Sequence, residues 1–130
     1  MNTSKRKRED YLDDDLHNEE IEFLREEIAS LIAEITALNN SIQKLTNDNE
    51  NLMPTILQSG DKDHSKDWLR QCHADNRTSI LEKEKQITAK ENLITAKANL
   101  ILEKEKQITQ SRKARLADQL HAASQEGRKS

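Results

Sequence analysis

Three side chains near the middle of the chain, His64, Cys72 and His73, are of the kinds that bind zinc or arm a nucleophile. Number and spacing argue against both roles. A structural zinc takes four ligands, usually as spaced pairs, and here there are too few ligands and no paired spacing. No nucleophile–base pairing can be assembled from these residues. With two glycines in the chain, Gly60 and Gly127, there is no glycine-rich phosphate loop either. No core large enough to exclude water from a reaction is expected. The expectation is a chain without catalytic residues, cofactor or metal.

The remaining chemistry is charge. Lys5, Arg6, Lys7 and Arg8 form a basic tetrad, a candidate nuclear-localisation signal suited to an acidic import groove or to loose contact with nucleic acid. Residues 9–27 hold ten acids against Arg25, a net −9, whereas residues 76–130 hold twelve bases and seven acids, a net +5. Arg112, Lys113, Arg115, Arg128 and Lys129 could touch nucleic acid or an acidic surface, but no aromatic lies among them on which a base could stack. Trp68 follows a polar stretch and invites two readings: packing against the end of a helix, or anchoring a partner.

The elements that carry these groups are set by composition. Of 130 residues, 35% are charged, 33% hydrophobic and 2% aromatic, with a single proline, Pro54. That is too little apolar surface for a globular domain of this size, and too little Gly and Pro for a turn-rich β fold. Glu, Lys, Leu, Ile, Ala and Gln at seven-residue spacing make long helices. One cysteine fits a reducing compartment. No signal-peptide pattern and no apolar run near the ~18 residues of a membrane span occur. The expectation is an elongated intracellular protein, nuclear rather than cytoplasmic, that does not engage membranes.

With Ile21 at heptad position a, the a column reads Ile21, Ile28, Ile35, Ile42, Asn49 and the d column Leu24, Leu31, Leu38, Leu45, Leu52. Ile at a with Leu at d favours two parallel strands, and one Asn at a fixes register across the pair. These ten residues are the expected dimer interface. Glu20 at g can meet Arg25 at e of a partner, and the following pairs (Glu27–Ile32, Glu34–Asn39, Ser41–Thr46, Asp48–Met53) contain no like-charge clash. The expected partner is therefore a second copy, or a related coiled-coil protein. Asp13, Asp14 and Asp15 supply N-cap candidates, and Pro54 an end, for a helix over about 14–53. This seam resembles the zipper half of basic-zipper transcription factors. The resemblance stops there: that family runs a basic helix into its first heptad, whereas "EDYLDDDLHNEEIEFLREE" would repel phosphates.

A second heptad repeat runs through "ILEKEKQITAKENLITAKANLILEKEKQIT", 80–109. With Ile80, Ile87, Ile94 and Ile101 at a, position d holds Lys83, Lys90, Lys97 and Lys104, and no other register yields two apolar columns. Buried lysines are costly, so no second self-sufficient zipper is expected. Good helix formers and the capping-box pattern Ser79–Glu82 predict a charged helix over about 79–124. The +5 half could instead lie against the −9 half by folding back, or by docking on a neighbouring dimer.

The predicted architecture is all-α: a disordered basic/acidic tail (1–13), a parallel dimeric coiled coil (14–53), a linker (54–66), a helical charged arm (67–124) and a disordered tail (125–130). The predicted function is that of a non-enzymatic scaffold or adaptor that dimerises and engages other proteins. The alternative is a nucleic-acid-associated regulatory factor using basic tails on a dimeric zipper.

Overall fold

The structure, a computed structural model, describes the backbone of residues 2–58 and 64–128 and the side chains of residues 14–58 and 64–125. All regular structure among these residues is helical: α1 spans Asn2–Gln58, a single 3-10 turn spans His64–Lys66, and α2 spans Asp67–Arg128. Lys5, Arg6, Lys7 and Arg8 fall on residues whose side chains lie outside those described, as do residues 59–63 of the expected linker and the last residues of the chain. Among the described residues no helix is long and apolar enough to cross a membrane.

Both helices exceed their predicted bounds. α1 passes through Pro54 and continues to Gln58, although an interior proline removes one amide donor and crowds the carbonyl four residues back. Beyond the proline, Ile56 stands at the next a position after Asn49 and is half-buried. At the other end, Asp14 is not a cap but an interior residue of α1. α2 begins at Asp67 rather than near Ser79, which lies well inside the helix. Asp67 places negative charge in the first turn, where the helix dipole favours it. Its carboxylate accepts from Arg70 at 2.8 Å and faces His64 Nδ1 at 3.1 Å. Threonines inside the helices are tolerated because their hydroxyls bond back one turn: Thr36 to the Ile32 carbonyl, Thr88 to that of Glu84, Thr109 to that of Glu105.

Two units make up the chain, one of residues 1–28 and 95–130, the other of residues 29–94. In the first, α1 and α2 segments run antiparallel, since the step from Glu20 to Glu27 on α1 is matched by the step from Lys104 back to Lys97 on α2. Its buried residues are Asp14, Ile21, Leu24 and Ile108. The second unit is a helical hairpin. Glu34 meets Lys90 toward its open end, and Asn49 meets His73 and Asn76 toward its closed end, with Leu69 buried nearby. Two packed helices enclose little: among the described residues no large side chain is fully buried.

Candidate interaction seam

The face of α1 that turns toward α2 is the predicted a/d stripe. Ile21, Leu24 and Asn49 are buried. Ile28, Leu31, Ile35, Leu38, Ile42, Leu45 and Leu52 are half-buried, while their neighbours at most other heptad positions are exposed. The opposing face of α2 is also an a/d stripe, of unusual composition. Leu69 and Ile108 are buried; Ile80, Ile87, Ile94 and Ile101 are half-buried, and so are Lys83, Lys90, Lys97 and Lys104.

The lysine column thus sits in a seam after all, and the geometry shows how. Lys97 Nζ donates to Glu27 Oε2 at 2.7 Å and Lys90 Nζ to Glu34 Oε2 at 2.8 Å; Lys104 pairs with Glu20 in the same way. The lysine side chains keep 21–27% of their surface exposed. Their aliphatic stems lie along the seam while the ammonium groups reach its edge, so full desolvation is avoided. Seven residues separate successive glutamates at position g of α1, and seven separate successive lysines at d of α2. Antiparallel packing therefore brings each acid to a base. Arg25 meets Glu105 at 3.4 Å in the first unit.

Electrostatics differ along the seam. The Lys104 ammonium, donating to and charged against Glu20, holds that carboxyl below its ordinary 4.5, with a smaller contribution from His17. A carboxylate lowered in the folded state contributes stability in full above its unfolded value, and that contribution fades as pH falls from 4.5 through the lowered value. Glu20 is half-exposed, so the effect is small and screened by salt. Asp14 and Arg115 are different: they pair with side chains only 11% and 15% exposed, which leaves little water to replace a missing partner. Nearby, His17 Nδ1 is buried without a hydrogen-bond partner. Asn49 is polar in a buried position and well satisfied: its Nδ2 donates to the His73 carbonyl at 3.2 Å, and its Oδ1 accepts from Asn76 Nδ2 at 2.9 Å.

The ten residues predicted as an interface all lie on one face, and the chain's own α2 stands opposite them. Glu20 and Arg25, expected to meet across a dimer, are each paired within the chain. Trp68 stays 65% exposed, and its neighbour Leu69 takes the buried position. Cys72 is a free, exposed thiol. His64 faces Asp67, and among the described residues no group of three potential ligands could hold a metal ion. The groove lined by Asp15, Glu19, Glu22, Arg25, Glu105 and Arg112 is open and polar. Sequence reasoning missed Asp14, Arg115, Asn76 and Leu69 as seam residues, and missed the glutamate–lysine match. The signal was present: two columns of opposite charge with the same period, one on each helix.

Comparison with protein families, curated proteins and solved structures yields no match.

Proposed function

We propose that this chain is a non-enzymatic scaffold or adaptor that self-pairs in parallel through the α1 seam, or pairs there with a related coiled-coil protein. The observation that carries this reading is the incomplete closure of α1: seven of the ten a/d residues remain half-buried against α2. Apolar surface left in water is worth about 25 cal/mol per Å² to whatever covers it. Ile at a, Leu at d and a single Asn at a suit a second parallel α1. Of the bases on which the competing nucleic-acid reading draws, Arg115 is already paired with Asp14 of α1. Lys5, Arg6, Lys7 and Arg8 serve as a nuclear address in this proposal; their replacement by Ala should shift a tagged chain toward the cytoplasm.

Sedimentation equilibrium of the full chain tests the reading. A monomer–dimer equilibrium that Leu31→Lys with Leu38→Lys abolishes is the expected result. Association that ignores those two substitutions would contradict it, and retention on nucleic acid that falls steeply with salt would favour the alternative.

A further inference from the structure

In each unit α2 occupies the face of α1 that a parallel partner would need. In the first, Ile21 and Leu24 are buried, Lys104 and Lys97 hold Glu20 and Glu27, and Arg25 is turned to Glu105. In the second, Lys90 holds Glu34, while Asn76 and the His73 carbonyl take up the amide of Asn49. The groups that would set register and flank charge in a self-paired α1 are therefore already engaged within the chain. Asn49 cannot bond its counterpart in a second copy and keep both of these partners.

We propose that α2 is a built-in competitor for the α1 seam: the chain alternates between a closed form, with α2 on α1, and an open form in which the α1 of a second copy takes its place, parallel and in register. This rests on the reading of α1 as a self-pairing surface and adds its regulation. The occupant is identified by chemistry. An α1–α1 seam sets Ile against Ile and Leu against Leu with one Asn pair, and is almost wholly apolar. The α1–α2 seam substitutes lysine for leucine at d and recovers the difference through glutamates at its edge, which are half-exposed at Glu20 and Glu34. Tethering favours α2 by raising its local concentration. Salt acts against α2, because it screens the glutamate–lysine pairs and leaves the Ile/Leu seam untouched. The competition therefore gives self-association an inverted ionic signature, stronger in high salt than in low.

The test uses the full chain in three forms: wild type, the triple variant Lys90→Glu, Lys97→Glu, Lys104→Glu, and the same triple variant with Glu27→Lys and Glu34→Lys added, Glu20 being kept because it would face Arg25 across a parallel α1 pair. Between about 0.1 M and 1 M sodium chloride the screening length falls from ~10 Å to ~3 Å. The wild-type dimerisation constant is expected to tighten at least tenfold over that range. The triple variant should dimerise already at low salt, and the fivefold variant, which restores the 27–97 and 34–90 pairs in reversed polarity, should return toward wild-type behaviour. That return also shows that the triple variant did not merely misfold. Parallel pairing is read by oxidising Leu38→Cys in a Cys72→Ser background, which should link 38 to 38 between chains. Association equal in all three forms at both salts would overturn the competition while leaving self-pairing intact. Association without the 38–38 link would mean that copies exchange α2 instead, which also overturns it. No association in any form at any salt would remove the self-pairing reading itself.

Discussion

α1 and α2 carry the same seven-residue period and fill it differently. In α1 both core columns are aliphatic from Ile21 to Leu52, interrupted only by Asn49. In α2, from Ile80 to Lys104, one column is isoleucine and the other lysine. Judged alone, the first helix has a seam and the second has none. Within each unit the packed segments do form a seam, because the g column of α1 holds Glu20 and Glu27 in the first unit and Glu34 in the second where the lysine ends emerge. Whether a charged core column is tolerable thus depends on the other helix, and on whether its ends can reach water and an acid at once.

The largest effects should come from the aliphatic residues, and they measure whether the two helices contribute equally. Leu24→Ala and Ile108→Ala each remove a buried side chain of the first unit. Each should lower unfolding stability by about 2–5 kcal/mol, the usual range for such truncations. A loss confined to Leu24→Ala, with Ile108→Ala silent in urea melts, would mean that α2 does not share the seam. Asn49 offers a sharper probe at smaller amplitude. Asn49→Leu strands the Asn76 amide and removes one of the bonds to the His73 carbonyl, at a cost of about 1–2 kcal/mol, and Asn49→Leu with Asn76→Leu should recover the Asn76 share of it. If the single substitution raised the melting temperature on its own, the hydrogen bonds from Asn49 to α2 would be dispensable.

The aliphatic half of this seam was legible in the sequence because it is periodic within one helix: Ile21 to Leu52 needs no knowledge of a partner to be seen. The ends and the opposing face were less legible. Pro54 marks a stop in local terms, yet α1 runs on to Gln58 with Ile56 half-buried at the next a position. Asp14 has the chemistry of a cap and the position of a core residue, and only the approach of Arg115, 101 residues away, decides between them. A lysine column is prohibitive only when fully buried, a state the structure avoids through partial exposure. Trp68, the most conspicuous aromatic in its region, turned out to be exposed while Leu69 was buried; one residue of helical phase separates them.

The smallest expected effect extends the charge pattern. Ser41 occupies the g position after Glu20, Glu27 and Glu34, and Lys83 the d position before Lys90, Lys97 and Lys104. Ser41→Glu should add a fourth pair in the second unit and raise stability by roughly 0.5 kcal/mol at low salt. Thermal melts of Ser41→Glu with and without Lys83→Met would show it; a gain that survives the loss of Lys83 would assign it to helix propensity instead.

The central claim, that α2 returns along α1 within one chain, is most directly tested by a distance. In a Cys72→Ser background, Glu19→Cys and Lys106→Cys place spin labels on exposed positions on the two helices of the first unit. The labelled chain would be diluted with unlabelled chain so that only intramolecular pairs report. Packed helices have axes ~8–10 Å apart, so double electron–electron resonance should give a narrow distribution on the order of 20–30 Å. An arm projecting away from α1 would put well over 50 Å between the labels at ~1.5 Å of rise per residue. A distribution centred there, or too long to measure, would contradict the account.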